Sequence, residues 1–316
     1  MKIAIADNNH RKFTDDLINH WFGKYNEVKY EPGASEWLSQ WADVYYVDTW
    51  DNNIHYLYKL YHGQQEIPKE LKWDNSKKPR IICRVLDWEV WIGWVRDQSI
   101  IDWVDNIIFI APHIQQRVES EVNLNGKGCL IRPGVNSKKF TFDKIKSDGF
   151  QLGMVLGDMW WPKNHMNGLD IFYRLWKRDN RWKLHIRGQH EPGQYWPIMY
   201  DYFLESRGIK DAVTLYAHTD DMNSWYNKID ILLHPGMKEA FSYAVGEAMM
   251  KGIPVVVNDF YGSHDIWPQS VLYKDSSEAV KRIESLYGMG RQYEIRKWVK
   301  DNYSNSKMFE QMDKLL

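Results

Sequence analysis

Short apolar runs along the chain alternate with longer stretches in which apolar residues recur at helical spacing. This alternation is typical of α/β proteins with parallel sheets. In the first half it predicts strands at Lys2–Ala6, Val44–Val47, Ile81–Val85, Ile107–Ile110 and Cys129–Ile131. Helices are predicted at Arg11–Phe22 and His113–Glu121, and the polar segment Tyr61–Lys78 is predicted to be a loop.

A second series of strands and helices begins near Gln151. The predicted strands are Leu152–Leu156, Lys183–Ile186, Val213–Tyr216, Ile231–His234, Val255–Asn258 and Val271–Tyr273. The predicted helices are Met166–Arg178, Gln194–Ser206, Asp220–Asn227 and Tyr243–Lys251. Two doubly wound halves follow, with a boundary in the polar stretch Asn136–Gly149. Because ligands bind beyond the carboxyl ends of such strands, a crevice between the halves is the expected site.

Composition narrows the class of protein. A length of 316 residues fits two domains. Most of the 17 Trp and 19 Tyr are expected to pack in the core, and the remainder can line a cleft, where flat sugar faces would stack on the rings. The net charge is -1, and acidic and basic residues are divided evenly along the chain. This weakens the case for a protein that binds nucleic acid, without excluding it. Membrane binding has no strong signature either.

The compartment is predicted from two further features. Cys83 and Cys129 have neither metal-binding nor redox spacing, so we interpret them as buried thiols in a reducing compartment. The chain enters a predicted strand at once, and no apolar run approaches the roughly 20 residues that span a bilayer. We therefore expect a cytoplasmic protein.

The segment from residue 234 to residue 257 has the most informative pattern. It begins His-Pro-Gly-Met-Lys-Glu and ends Lys-Gly-Ile-Pro-Val-Val-Val. This pattern predicts a strand, a turn, a helix that stops at Gly252, and a second buried strand. Glu239 lies in the predicted turn and Glu247 in the predicted helix.

The start of this helix is a candidate anion site. A helix N-terminus at Phe241, Ser242 and Tyr243 would direct backbone N–H groups at a diphosphate. Glu239 in the preceding turn would accept hydrogen bonds from hydroxyl groups of a ligand. Glu247 would accept them from a ribose.

The same segment resembles the signature of the retaining GT-B glycosyltransferases (family 4-like, glycosyl transferases group 1). That signature has a Glu, seven residues, a second Glu, and then Ala-Met-x-x-Gly-x-Pro-Val-Val, and Glu239 and Glu247 keep the spacing. The resemblance implies an α/β fold with two Rossmann-like domains facing across a crevice. The expected domains are an acceptor-side domain at 1–145, a nucleotide-sugar domain at 146–295 and a C-terminal helix at 296–316 that packs back on the first domain.

The resemblance covers most of the chain, densely after residue 150 and sparsely before it. Four further segments are similar to the family's pattern: Val104–Ile108, Ile131–Asn136, Asp230–Pro235 and Trp298–Ser304.

The resemblance also implies a cationic clamp on the donor diphosphate. The family has Gly-Arg-Leu, three residues and Lys, whereas this chain has Gly-Asp-Met-Trp-Trp-Pro-Lys from Gly157 onward. Lys163 matches, but Asp158 stands where Arg is usual. Arg187, at the end of the next predicted strand, is the nearest candidate for the missing cation.

Two further loops are implied to contact the donor. Ala217-His218-Thr219 follows a predicted strand where the family reads the nucleotide base, so His218 is a donor-binding candidate. Gly262 lies in a turn similar to the one that closes over the donor sugar.

The first half departs most from the family. Leu86 stands where the family often has His, so Asp87 becomes the candidate for binding an acceptor hydroxyl; a helix cap or a salt bridge to Arg84 is an equal alternative. Asn8–His10 replaces a Gly-rich turn and would line the acceptor side. Three tryptophans at a spacing of three predict one helical face, for stacking or for the core: Trp88, Trp91 and Trp94.

The activity implied is transfer of a sugar from a nucleoside diphosphate sugar to a hydroxyl, with retention at the anomeric carbon. Glu239, Lys163 and Asp87 are the expected catalytic residues. No metal or cofactor is expected, since Lys163 and helix N-termini offset the leaving charge and the chain has no Asp-x-Asp motif. The acceptor stays open between a glycan, a small molecule and a modified DNA base.

Two other classes of protein remain as alternatives. An inverting GT-B transferase or sugar-nucleotide epimerase would need a firm catalytic base in the first domain. A non-catalytic carbohydrate-binding protein would not need the Glu pair and Lys163 together.

Overall fold

The chain forms two compact units in a computed structural model. The structure describes residues 1–8, 14–67, 74, 76–143, 147–158, 161–189, 196–219 and 221–316. At residues 158, 189 and 196 it describes the backbone alone. The first unit comprises Met1–Gly134 and Asn305–Leu316, and the second comprises Val135–Ser304.

The first unit contains a sheet of six parallel strands. They are β1 (Lys2–Asp7), β2 (Glu27–Glu31), β3 (Val44–Asp48), β4 (Arg80–Val85), β5 (Asn106–Phe109) and β6 (Gly128–Leu130). Their order is β2-β1-β3-β4-β5-β6. The helices are α1 (Asp15–Lys24), α2 (Glu36–Trp41), α3 (Asn52–Tyr61), α4 (Trp88–Trp91), α5 (Gln98–Trp103) and α6 (Pro112–Glu119). The four inner strands, β1, β3, β4 and β5, are mostly apolar because helices cover the sheet.

The second unit contains another sheet of six parallel strands. They are β7 (Gln151–Asp158), β8 (Lys183–Gln189), β9 (Val213–Tyr216), β10 (Ile231–His234), β11 (Val255–Asn258) and β12 (Leu272–Tyr273). The helices are α7 (His165–Arg178), α8 (Trp196–Ser206), α9 (Met222–Tyr226), α10 (Tyr243–Met250), α11 (Ser263–Ile266), α12 (Ser276–Leu286) and α13 (Tyr293–Asn302). The order β12-β11-β10-β7-β8-β9 reverses between β7 and β10, which makes their carboxyl ends a topological switch point.

The last segment of the chain belongs to the first unit. Helix α14 (Asn305–Asp313) places Met308 and Met312 in the core formed by β1, α1 and β3. Gly134 donates its N–H to the sulfur of Met308 at 3.2 Å. The core of the first unit is therefore built from both ends of the chain.

The unit boundary differs from the expected one at 145, since residues 135–143 and 296–304 belong to the second unit. Val135 donates its N–H to the carbonyl of Tyr303 at 2.7 Å. The guanidinium of Arg296 donates to the carbonyls of Phe140 at 2.7 Å and Ser137 at 3.1 Å. These bonds tie the two connecting segments to each other.

Several elements differ from the sequence prediction. The prediction misses β2 because Glu27–Glu31 alternates charged and apolar residues at a sheet edge, and it misses the short helices α2, α3 and α5. The described part of the predicted helix at 11–22 begins at Asp15. Of the predicted loop Tyr61–Lys78, Tyr61 ends α3, and residues 68–73 and 75 lie outside the described part.

Of the helices that the structure describes, none combines the length and apolar character needed to cross a lipid bilayer.

Candidate active site in the second unit

The loops after β7 and β10 meet at the switch point. A short 3₁₀ turn at Trp161–Lys163 follows β7, and the segment from Pro235 to Phe241 follows β10. Met237 donates its N–H to the carbonyl of Pro162 at 2.9 Å, which joins the two loops. Lys163 and Glu239, which lie 76 positions apart in the sequence, are thereby brought into one site.

Lys163 and Glu239 form an ion pair at this junction. The distance from Lys163 Nζ to Glu239 Oε1 is 2.5 Å, and the two side chains are 26% and 12% exposed. A partly buried pair of this kind is screened less than a surface pair and keeps both groups in fixed positions. The structure thus brings together the two residues that the motif places on the diphosphate and on the sugar; those roles stay predictions.

His234 is a third member of this cluster, and the sequence reasoning missed it. It ends β10 with its side chain buried, and its Nε2 lies 3.6 Å from Glu239 Oε1. Burial, followed by the nearby charge of Lys163, lowers the pKa of His234 to about 3. The imidazole is therefore neutral at physiological pH. Its position at the carboxyl end of a buried strand, before Pro235, was the available signal.

Acid should destabilise the second unit through His234. Its pKa is about 3 in the folded chain and about 6.5 in the unfolded chain. At a pH between these two values, His234 is protonated in the unfolded chain and neutral in the folded chain. Stability is therefore expected to fall as the pH falls from about 6.5 toward 4. Urea unfolding of the wild type and His234→Phe across this range should show a shallower pH dependence in the variant. Equal slopes would contradict the assignment.

The N-terminus of α10 lies next to this cluster in the chain. Ser242 is its N-cap residue, and the first backbone N–H groups of a helix have no acceptor within the helix. The Phe241 ring packs against Trp267 and Tyr303, with centroids 5.2 Å and 5.0 Å away. Phe241 therefore anchors the turn with its side chain, so only its backbone is available to an anion.

Glu247 is held by a tyrosine of α9. The Tyr226 hydroxyl lies 2.9 Å from Glu247 Oε2 and also 3.1 Å from the carbonyl of Ala244. Burial first, and then the charge of Glu247, raises the pKa of Tyr226 well above its usual value, so the phenol stays a donor. This bond orients the carboxylate about one turn into α10.

Arg187 supports the loop after β9. Its side chain is 2% exposed, and Nη2 lies 3.0 Å from His218 Nδ1 and 3.1 Å from the carbonyl of Thr219. These contacts order the loop that we expect to face the base, whereas the proposed clamp on the diphosphate stays a prediction. The side chain of Asp158 lies outside the described part of the chain.

Gly262 allows the turn after β11. Its φ of +86° favours glycine, and it is the N-cap residue of α11. Ser263 then donates its hydroxyl to Asp259 Oδ1 at 2.7 Å, and this bond is the main reason that the pKa of Asp259 is lowered. The exposed ring of Tyr261 precedes the turn.

In the first unit, Asp87 is the N-cap residue of α4 and accepts a hydrogen bond from the Trp91 indole at 2.5 Å. Arg84 pairs with Asp48 at 2.6 Å, and the two alternatives for Asp87, a helix cap or a salt bridge to Arg84, stay open. The buried Glu89 accepts the backbone N–H groups of Leu86 and Asp87 at 2.5 and 3.1 Å. The carboxylate of Asp87 is thus positioned at the carboxyl end of β4, and its acceptor role stays a prediction.

The other first-unit candidates are described in part. The amide of Asn8 donates to Asp51 at 2.5 Å, while Asn9 and His10 lie outside the described residues. Helix α4 ends at Trp91, so Trp94 does not share its face. Trp88 and Trp91 are 39% and 40% exposed.

Residues 151–288, which lie within the second unit, match the family model described as "Glycosyl transferases group 1". Residues 151–288 are therefore similar to the group 1 glycosyltransferases. The switch point, with Lys163 and Glu239, lies inside the matched residues.

Solved structures extend the comparison to the whole fold. HepE (Alr3699) of Anabaena in complex with UDP has a TM-score of 0.74 at 12% identity, over 99% of each chain. A glycosyltransferase of Rickettsia africae has a TM-score of 0.72 at 10% identity, over 99% of this chain and 97% of the other. The fold around the glycosyltransferase domain is therefore GT-B.

TarM of S. aureus, in complex with UDP, fondaparinux and α-GlcNAc-glycerol, has a TM-score of 0.68 at 14% identity. The alignment covers 86% of this chain and 55% of TarM, so the chain spans about half the length of that relative. No curated protein matches the sequence.

These findings confirm the predicted resemblance to group 1 glycosyltransferases and the two-domain α/β GT-B fold. The matched residues also support the glycosyltransferase class of the enzyme. Retention, the residue roles, the independence of a metal and the cytoplasmic location stay predictions, and the identity of the acceptor stays open. Within the described part of the chain, no three His, Cys, Asp or Glu side chains lie together as a metal site would require.

Proposed function

We propose that this chain transfers a sugar from a UDP-sugar to an acceptor hydroxyl with retention of anomeric configuration and without a metal ion. The observation that supports this most is the Lys163–Glu239 pair at the switch point of the matched domain. HepE and TarM were each solved in complex with UDP, and HepE also with UDP-glucose, which makes UDP-sugars the first donors to examine.

The donor binds with its diphosphate at Lys163 and the N-terminus of α10. Three N–H groups of the Lys163 ammonium and the helix dipole offset the phosphate charge. Glu239 accepts hydrogen bonds from sugar hydroxyls, and Glu247 accepts those of the ribose. The loop at His218, ordered by Arg187, faces the base.

Transfer proceeds on one face of the sugar. The bond from the anomeric carbon to the phosphate oxygen breaks as the acceptor oxygen forms its bond on the same face, and the acceptor proton passes to the departing phosphate oxygen. Catalysis then consists of stabilising the leaving charge and of positioning, so a separate base is not required.

The acceptor remains open between a glycan, a small molecule and a modified DNA base. Asp87, fixed by Trp91, would accept a hydrogen bond from the acceptor hydroxyl.

Donor binding and product analysis test the proposal. Thermal shift with UDP, GDP, ADP and UDP-glucose should single out the uridine nucleotides, and mass spectrometry of acceptor mixtures should show the mass of one added sugar. The anomeric coupling in NMR spectra of the product should show retention, and activity should persist in EDTA. An inverted product would favour the inverting class, and binding with neither hydrolysis nor transfer would favour a carbohydrate-binding protein.

Lys163→Met should weaken UDP binding about 10- to 100-fold, because a hydrogen-bonded charge on the diphosphate is lost and Glu239 is left without its counter-ion. Lys210→Met is the matched control, since Lys210 pairs with Glu205 at 2.6 Å on the exposed surface of the same unit. Isothermal titration with UDP should show the loss only at residue 163. Equal affinities for Lys163→Met and the wild type would contradict the clamp.

A further inference from the structure

One carboxylate oxygen at the switch point faces two nitrogen groups. Glu239 Oε1 lies 2.5 Å from Lys163 Nζ and 3.6 Å from His234 Nε2. The first distance is a hydrogen bond, and the second is just too long for one. Within the described part of the chain, His234 Nε2 is buried without a hydrogen-bond partner. Buried polar groups are seldom left in this state because it costs stability.

The packing keeps the path between His234 and Glu239 open. A Cβ at Gly236 would lie 2.9 Å from His234 Nε2 and 3.5 Å from Glu239 Oε1, so a side chain there would crowd both groups. Asn258 donates to the carbonyl of Gly236 at 3.2 Å and holds this bare backbone in place. A small rotation of the Glu239 carboxylate would therefore bring Oε1 within hydrogen-bond distance of His234 Nε2.

A bound donor would compete for Lys163. A diphosphate carries more negative charge than one carboxylate, so the ammonium is expected to turn toward it. Glu239 would then lose its cation while remaining 12% exposed, and such a carboxylate needs another donor.

We propose that His234 is the positioning residue for Glu239 in the donor-bound protein. When the donor diphosphate engages Lys163, Glu239 Oε1 accepts the Nε2–H of His234, and Glu239 Oε2 is presented to a sugar hydroxyl. This inference rests on the proposed function, since it assumes a diphosphate donor.

The chemistry of a neutral imidazole suits this role. It satisfies one oxygen of Glu239 without neutralising the carboxylate, which keeps its capacity to accept sugar hydroxyls. A second ammonium would instead compete with the sugar for the same charge.

A ligand-free experiment examines the contact itself. In Lys163→Met, Glu239 is released without any donor, so ¹⁵N-histidine NMR should show a downfield, slowly exchanging Nε2–H of His234. Pyrophosphate added to the wild type should shift the same signal in the same direction, and Lys210→Met should leave it unchanged. A His234 whose Nε2 is unprotonated, or unaffected by both changes, would overturn the proposal.

Binding and kinetics examine the role. His234→Phe should leave the affinity for UDP within about twofold and lower kcat/KM for UDP-glucose, or the best donor of the screen, about 10-fold. His234→Gln, which places an amide N–H near the Nε2 position, should recover most of the loss. In a Glu239→Ala background, His234→Phe should have no further effect on donor affinity. A role through Glu239 would be rejected if His234→Phe weakened the binding of UDP as much as that of the UDP-sugar. It would also be rejected if the losses of affinity from His234→Phe and Glu239→Ala multiplied in the double variant.

The two proposals fail in different ways. If the wild type binds neither UDP nor a UDP-sugar, the proposed function is wrong and the donor-bound role of His234 falls with it, whatever the NMR signal shows. If the wild type binds and transfers while His234→Phe is indistinguishable from it, only the present inference is wrong.

Discussion

Glu239→Ala is expected to lower kcat/KM for sugar transfer by about 10²- to 10³-fold while the protein stays folded. In the proposed site Glu239 accepts hydrogen bonds from the sugar hydroxyls beside the reacting carbon, and loss of one such charged contact in a closed site costs about 10²- to 10³-fold in rate. The variant also removes the carboxylate that pairs with Lys163, whose Nζ lies 2.5 Å from Glu239 Oε1. Initial rates of transfer across donor concentrations measure the effect.

Two companion variants separate chemistry from stability. Glu205→Ala removes an exposed glutamate that pairs with Lys210 at 2.6 Å in the same unit, and it should leave the rate unchanged. Glu239→Gln keeps the shape of the side chain and should remain strongly impaired, since an amide accepts with one oxygen and no charge. Transfer by folded Glu239→Ala at the wild-type rate would show that the site lies elsewhere.

Arg84→Leu should destabilise the first unit by about 3–5 kcal/mol. Arg84 and Asp48 are 2% and 0% exposed, their closest atoms are 2.6 Å apart, and Tyr46 donates its hydroxyl to the same carboxylate at 3.0 Å. Removing the guanidinium leaves Asp48 charged and buried. Native-state hydrogen exchange of the β3 and β4 amides measures the change in free energy of opening for this unit alone.

The pH dependence gives this prediction a signature. Burial raises the pKa of Asp48, and the Arg84 charge opposes the rise, so the variant should hold a proton on Asp48 more readily. Because the folded pKa then exceeds the unfolded value, the loss should be smaller at pH 5 than at pH 8. Arg96→Leu, in the exposed pair with Glu121, should cost no more than about 1 kcal/mol. Similar losses for both variants would refute the argument.

The second sheet could be predicted closely from the sequence. β9, β10 and β11 have the predicted bounds because each is a short apolar run between turn residues, at Val213–Tyr216, Ile231–His234 and Val255–Asn258. β2 could not be predicted in this way because an edge strand is half exposed, and the alternating charges of Glu27–Glu31 do not separate it from a loop.

The site was predictable where the chain order determines it. Parallel strands place their carboxyl ends at one edge, so the loops with Lys163 and Glu239 had to lie near each other. The position of His234 at the end of β10 could be read from the sequence, but its approach to Glu239 could not, because a buried nitrogen 3.6 Å from a carboxylate is a property of the packing. The same holds for the Tyr226 hydroxyl on Glu247, a contact between two helices, and for the burial of Arg187.

The return of α14 to the first unit has a consequence for how the protein is made. The core around β1 and α1 includes Met308 and Met312, so it stays incomplete until residues 305–316 have been synthesised. The second unit, by contrast, is a continuous segment, Val135–Ser304, and all its strands are available before that point. On the ribosome the second unit should therefore reach its native state first, although most of the first unit is translated before it, and the first unit should remain dependent on chaperones for longer.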